Sequence, residues 1–237
     1  MKLTVVGCSP AWPNPGGAHS GYLVDGRLLL DCGPGVLGRL RALHGGWPRV
    51  DAVAVTHWHL DHWGDLVPWV WGTSAGFAAG PRPELWLPPE GRERLRELGA
   101  RLGYAEMWEA AFELRDYAEG EPFVAGGLTV TALRVPHYRL RTYAFRVEGD
   151  ATLAYSGDSG PSPVLAEVAR GADLFLCEAT LERGDLDGEP RGHLSADEAV
   201  AAFEDSGARR LLLTHRPHEL PLADGLEQAS DGLELEL

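Results

Sequence analysis

The chain has 237 residues, 44% of them hydrophobic and 24% charged, with a formal net charge of −14. That length suits one well-buried domain over residues 1–237, the composition is that of a globular chain, and no apolar run approaches the roughly 20 residues of a membrane span. So large an acidic excess argues against extended nucleic acid as a partner, because phosphate neutralisation needs a basic footprint.

Cys8, Cys32 and Cys177 are widely spaced, form no C-x-x-C and cannot pair completely, which speaks for a reducing compartment. The stretch Met1 to Gly7 reads as a strand entering a glycine turn and lacks the apolar core and cleavage site of a signal peptide. A cytoplasmic location is the expectation. Of the 21 basic residues only Lys2 is a lysine, a bias that hints at a GC-rich bacterial genome.

In chain order, strands are predicted at Leu3 to Val6, Gly21 to Val24 and Arg27 to Asp31, the last two joined by an Asp25-Gly26 turn. A helix is predicted over Gly33 to Leu43, and a buried strand over Asp51 to Thr56. Asp65 to Phe77 reads as a helix beginning near Gly64, Pro81-Arg82-Pro83 as a loop, and Glu84 to Leu87 as a strand. Pro89 to Leu102 reads as an amphipathic, solvent-facing helix. Strands follow at Phe112 to Arg115, Leu128 to Val135, Thr142 to Val147 and Thr152 to Tyr155. The last third alternates: helix Pro163 to Arg170, strand Leu174 to Cys177, a loop over Gly184 to Gly192, helix Ala196 to Ser206 capped by Ser195, and strand Arg210 to Thr214. Ala52-Val53-Ala54-Val55-Thr56-His57 and Leu211-Leu212-Leu213-Thr214-His215 echo each other, as two α/β halves facing one another would.

Chemistry concentrates in His57-Trp58-His59-Leu60-Asp61-His62, an H-x-H-x-D-H segment at the C-terminal end of a predicted strand, where open α/β sheets place ligands. His57 and His59 are two apart, so an extended backbone sends both side chains to one side. Asp61 and His62 follow where the chain turns and point elsewhere, and two directions suggest two metals. Imidazole and carboxylate suit zinc, with iron and manganese as alternatives. His137, Asp158 and His215 each follow an apolar strand, which places them on one edge of the sheet. Asp31 suits a role in orienting a ligand histidine. His19 and Ser20 are candidates for lining the mouth and touching phosphate, Arg139 and Arg141 for pairing with it, and Trp12, Trp58, Trp69 and Trp71 for stacking a base. The alternatives are an ordinary loop, solvent exposure and core packing respectively.

The order H-x-H-x-D-H, lone His, lone Asp, last His resembles the metallo-β-lactamase superfamily, and the Asp31-Cys32-Gly33 turn extends the likeness. The resemblance implies an α/β, four-layer αββα sandwich with a dinuclear site. It would have His57, His59 and His137 on one metal, Asp61, His62 and His215 on the other, and Asp158 bridging, with Asp61 in a catalytic position. A bridging Asp separates this pattern from the penicillin-hydrolysing branch. Cys177-Glu178-Ala179-Thr180 is similar to the H-E-A-T segment of the ribonuclease Z branch, with Cys for His, and Gly192-His193-Leu194-Ser195-Ala196 to its later segment. There a histidine is implicated in proton transfer. In this reading His193 is the acid; the alternative makes it the residue leading into the Ser195 cap. Glu178 falls beside the metal or the substrate.

Two departures stand out. Only 20 residues lie between His137 and Asp158, too few for the arm with which ribonuclease Z grips tRNA, and Tyr155 occupies the place expected for an acidic proton-relay partner. The chain is more similar to compact actinobacterial phosphodiesterases of this fold that act on cyclic nucleotides. The resemblance therefore implies a metal-dependent hydrolase cleaving a small phosphodiester, a (cyclic) nucleotide, through a metal-bridging hydroxide. A tRNA 3′-processing endonuclease, a thioester or lactone hydrolase and a non-catalytic metal-binding module are the alternatives. No membrane partner is expected, and the oligomeric state is open between monomer and homodimer.

Overall fold

A computed structural model describes residues 1–77 and 82–237. The strands pair into two sheets facing one another. The first has seven strands. Its central members are β1 (Lys2–Gly7), β2 (Gly21–Val24), β3 (Leu28–Leu30) and β4 (Ala52–Ala54), followed by β5 (Glu84–Leu87) and β6 (Glu113–Asp116). The second sheet takes the next strands in the chain: β7 (Phe123–Ala125), β8 (Leu128–His137), β9 (Leu140–Glu148), β10 (Thr152–Tyr155), β11 (Leu174–Glu178) and β12 (Leu211–Thr214). The chain then returns to the first sheet, where β13 (Glu234–Glu236) pairs with β1 along the edge.

Alternation along each strand divides its side chains between two cores. Leu3, Val5, Tyr22, Val24, Leu28 and Leu30 point between the sheets, where they meet Val130, Phe145, Val147, Leu153, Tyr155 and Leu176. Leu23, Leu29, Val53 and Leu85 point outward onto α1 (Val36–His44), α3 (Leu66–Ser74), α4 (Gly91–Arg101) and α5 (Met107–Ala111). Phe175, Cys177, Leu211 and Leu213 likewise pack on α6 (Pro163–Val168) and α7 (Ala196–Ser206). Helix, sheet, sheet and helix thus form the αββα sandwich, with strands buried on both faces. No helix among the described residues is long and apolar enough to cross a membrane.

Several expected elements coincide with the observed ones. The Asp25-Gly26 turn has positive φ at both residues, 50° and 67°, and Arg27 completes a three-residue connection, since Val24 pairs with Leu28. Helix α7 carries a full capping box: Ser195 accepts from the Glu198 amide while Glu198 reaches back to Ser195, and Gly207 closes the far end in the left-handed region. Elsewhere the structure corrects the sequence reading. A one-turn helix, α2 (Leu60–Trp63), precedes Gly64 and carries both Asp61 and His62. Helix α5 and the short strands β7 and β13 were not expected. The last two hide because only part of each buries a side chain: Val124 of β7 is 62% exposed, and β13 reads Glu-Leu-Glu. Of the Pro81-Arg82-Pro83 loop, Pro81 lies outside the described residues. The site residues also do not share the edge of one sheet. His57 to His62 leave the first sheet after β4, whereas His137, Asp158 and His215 leave the second after β8, β10 and β12.

Candidate metal centre

The ends of these strands bring seven side chains together in two overlapping groups. His57, His59, His137 and Asp158 form one, and Asp61, His62, Asp158 and His215 the other; within each group the donor atoms lie within 4.8 Å of one another. Asp158 belongs to both through different oxygens. Its Oδ2 lies 3.7 Å from His57 Nε2 and 3.8 Å from His137 Nε2, and its Oδ1 lies 3.2 Å from His62 Nε2 and 3.6 Å from His215 Nε2. Asp61 Oδ2 completes the second group, 3.1 Å from His215 Nε2 and 3.4 Å from His62 Nε2.

Each inward-facing nitrogen is aimed by a bond at the other side of its ring. His57 Nδ1 meets Thr56 Oγ1 at 3.0 Å, His62 Nδ1 meets Asp31 Oδ2 at 2.7 Å, His137 Nδ1 meets the Gly192 carbonyl at 2.6 Å, and His215 Nδ1 meets Thr180 Oγ1 at 2.9 Å. His59 differs in turning its own Nδ1 inward, 2.8 Å from His137 Nε2.

The donor set fits a cation. His57 Nε2, His62 Nε2 and Asp158 Oδ1 are buried and have no hydrogen-bond partner among the described residues, a costly condition for polar atoms. Burial holds the His57 imidazole well below its usual range and the His137 imidazole down to about 4, so both present neutral lone pairs. Around His62 burial acts the same way, but Asp158, Asp31 and Asp61 outweigh it and raise that imidazolium well above its usual range. A pocket that stabilises buried positive charge so strongly is matched to a divalent metal.

Beneath the ligands two carboxylates act as hubs. Asp31 follows β3 with a φ of 59°, a strained conformation for a non-glycine residue. It accepts from the Thr56 amide and hydroxyl, from Tyr155 Oη at 2.8 Å and from His62 Nδ1. Gly33 allows this turn to lie against the metal-binding segment, since a Cβ there would fall 1.9 Å from the Asp61 carbonyl oxygen. Glu178, at the end of β11, accepts from the Ser159 amide, from the Thr180 hydroxyl at 2.8 Å and from His193 Nδ1 at 2.8 Å. Tyr155 is therefore a donor to Asp31, and the acid beside His193 comes from the neighbouring strand. Burial disfavours charge on His193, yet Glu178 outweighs it and pushes the pKa up to about 9.

The His193 backbone is clamped as well. Asp187 Oδ2 accepts from the Gly192 and His193 amides at 2.7 and 3.0 Å. Arg191, paired with Glu198 at 2.6 Å, donates to the His193 carbonyl.

Above the ligands opens a cavity of about 410 Å³. His59, Asp61, Asp158 and His193 form its polar part, and Trp12, Leu60, Tyr138 and Leu181 its apolar wall. Trp12, Leu60 and Tyr138 are exposed, an unusual grouping of large apolar side chains. The other sequence candidates lie elsewhere. Ser20 is fully buried, His19 is buried with Nδ1 on the Pro10 carbonyl, and neither lines the mouth. Trp69 belongs to the outer core, Trp71 is exposed, and Trp58 borders a neighbouring cavity. Arg139 is exposed, as is Arg141, which lies 3.6 Å from Glu90. Thr56 and Thr180 stand inside segments that the sequence singles out, yet nothing in the sequence gives them a role, and Asp187 and Arg191 lie outside those segments.

Comparison with known proteins agrees with this geometry. The family described as Beta-lactamase superfamily domain matches residues 26–216. A Bacillus subtilis protein named "Probable metallo-hydrolase YhfI" is 34% identical over 224 residues, covering 92% of this chain and 88% of the relative. The crystal structure of YhfI superposes with a TM-score of 0.82 at 28% identity, covering 99% of this chain and 98% of that one. A ribonuclease Z from Mycobacterium marinum is 30% identical over 242 residues, covering 91% of this chain and 85% of the relative.

Proposed function

The chain belongs to the beta-lactamase superfamily of metallo-hydrolases, and we propose that it is a two-metal phosphodiesterase acting on a small nucleotide. The observation that carries this reading is the position of Asp158, with one oxygen facing each histidine group, together with His193 on the rim. His57, His59, His137 and Asp158 would hold one ion, and Asp61, His62, His215 and Asp158 the other. Two divalent cations there, of which zinc suits the donors best, would supply Lewis acidity toward the phosphoryl group and a water of lowered pKa.

The chain's own groups do the rest. Hydrolysis of a phosphodiester forms one P–O bond to water and breaks another to an alkoxide that must take up a proton. His193 holds its Nδ1 on the buried Glu178 carboxylate, which favours the charged imidazolium and leaves Nε2 to donate that proton. The wall of Trp12 and Tyr138 offers a nucleobase a stacking surface, and Leu60 and Leu181 help exclude water.

The likeness to ribonuclease Z supports phosphodiester chemistry. Against tRNA as substrate, the chain between His137 and Asp158 is used up by the β8–β9 hairpin and β10, leaving no arm. The test is metal analysis combined with turnover of bis(p-nitrophenyl) phosphate and cyclic nucleotides. Metal-loaded protein should hydrolyse these esters. Protein that is inert toward them but cleaves a thioester or lactone would contradict the proposal.

A further inference from the structure

Two more cavities run from the mouth along the tip of the β8–β9 hairpin. The first, of about 420 Å³, shares Tyr138 with the mouth and adds His137, Arg134, Arg139 and Leu140. The second, of about 230 Å³, shares Arg134, Arg139 and Leu140 with the first. It also reaches Arg94, Arg141 and Trp58, the residue between His57 and His59. Shared lining residues thus set the three in succession along the hairpin, a path leading away from the candidate metal ligands.

That path is cationic on a chain of net charge −14. Four arginines meet Glu90 in the outer cavity, with Glu119 at the edge of the inner one. Glu90 serves Arg94 at 3.8 Å and Arg141 at 3.6 Å, while Arg134 and Arg139 form no ion pair among the described residues. Guanidinium groups so placed suit the bidentate geometry of phosphate.

The hairpin tip between the mouth and these arginines is strained. His137 pairs with Leu140, so Tyr138 and Arg139 form a two-residue turn, and Tyr138 takes a φ of 48°, where glycine or asparagine is usual. Its ring stands edge-on to His193 at 5.6 Å and lies over Gly192, where a Cβ would come 2.3 Å from it. A strained bulky residue marks a position held for its side chain. Here that side chain divides the mouth from the arginine path.

We propose that the Arg134 and Arg139 path binds a second phosphate of the substrate. The preferred substrate is then a short linear oligonucleotide of dinucleotide size whose chain passes over Tyr138. This rests on the phosphodiesterase reading of the metal centre and names the substrate class of that same site. A 3′,5′-cyclic mononucleotide, with its single phosphate, leaves the path unused.

The test compares kcat/KM of the metal-loaded protein for the dinucleotide ApA with that for pApA and ApAp, which differ only in carrying a terminal phosphate. One of the two should be preferred to ApA by about tenfold, mainly through KM, equivalent to about 1.4 kcal/mol. The ratio should fall to about one in Arg134→Ala/Arg139→Ala, whose side chains are exposed and unpaired among the described residues, and should shrink at high salt. No preference in the unmodified protein, or a ratio unchanged in the double variant, would overturn the proposal. Should neither bis(p-nitrophenyl) phosphate nor ApA be cleaved, the phosphodiesterase reading fails on its own. Binding of pApA to the metal-loaded protein and the double variant then decides the path by the same tenfold difference.

Discussion

The two halves of the site solve one problem with the same parts and reach different ends. In the N-terminal half Asp31 bonds His62 directly and His57 through Thr56; in the C-terminal half Glu178 bonds His193 directly and His215 through Thr180. Both carboxylates are fully buried. Asp31 serves two groups that face the metal centre, whereas Glu178 serves one that faces it and one that lines the mouth. The same carboxylate–threonine–histidine relay thus fixes two metal-facing histidines on one side, and on the other ties the metal-facing His215 to His193 at the mouth.

The two halves differ most at His193. His193→Ala should lower kcat/KM for nucleotide esters by about 10²–10⁴-fold, the usual contribution of a general acid, with metal content unchanged by elemental analysis. The loss should be smaller for bis(p-nitrophenyl) phosphate, whose leaving group needs little protonation. Loss of metal instead would make His193 a ligand, an option raised by its place with Glu178 and His215 in a third group of metal-capable side chains.

Next come the hubs themselves. Asp31→Asn should weaken metal affinity by about 10–100-fold, the range for partners of ligand histidines, as read by chelator competition. Glu178→Gln should affect metal far less and act on the proton instead. Because Glu178, with Asp158 and Asp187, raises the His193 pKa, the rate in the unmodified protein should fall on the alkaline side as pH rises through that pKa. In Glu178→Gln the fall should move to lower pH, toward the ordinary value of about 6.5. An alkaline limb that stays in place would remove His193 as the titrating acid.

The smallest effect concerns the mounting of the C-terminal half. Glu198 closes the capping box of α7 and pairs with Arg191, which holds the His193 carbonyl. Glu198→Ala should cost about 1 kcal/mol by denaturant unfolding, combining a lost cap with a partly exposed ion pair, and slow turnover only severalfold.

Much of this was legible in the chain. The two-residue spacing of His57 and His59 and the strands leading to His137, Asp158 and His215 point to side chains that the fold does gather into one cluster, because strand ends are where the chain presents such groups together. The edges Gly21–Val24, Glu84–Leu87, Thr152–Tyr155 and Ala196–Ser206 were legible because strand patterning and cap chemistry are local. What stayed hidden depends on contacts between distant segments. The repeated Thr-His pair does not carry a repeated role: Thr56 links His57 to Asp31, whereas Thr214 bonds Tyr22 and the relay to His215 runs through Thr180 on the adjacent strand end. Tyr155 looked like a missing acid because the sequence does not show that Glu178 reaches His193 across the sheet. The clamp by Asp187 and the mouth wall of Trp12, Leu60 and Tyr138 gather residues from separate loops, for which no periodicity exists to read.

If two cation sites share Asp158 in a phosphodiester-cleaving centre, hydrolysis requires two bound ions per chain. Metal-free protein titrated with zinc or manganese, with bis(p-nitrophenyl) phosphate hydrolysis followed, reads that requirement. The expected rate climbs until two equivalents per chain are bound and then levels off. Full activity at one equivalent, or none at any loading, would contradict it.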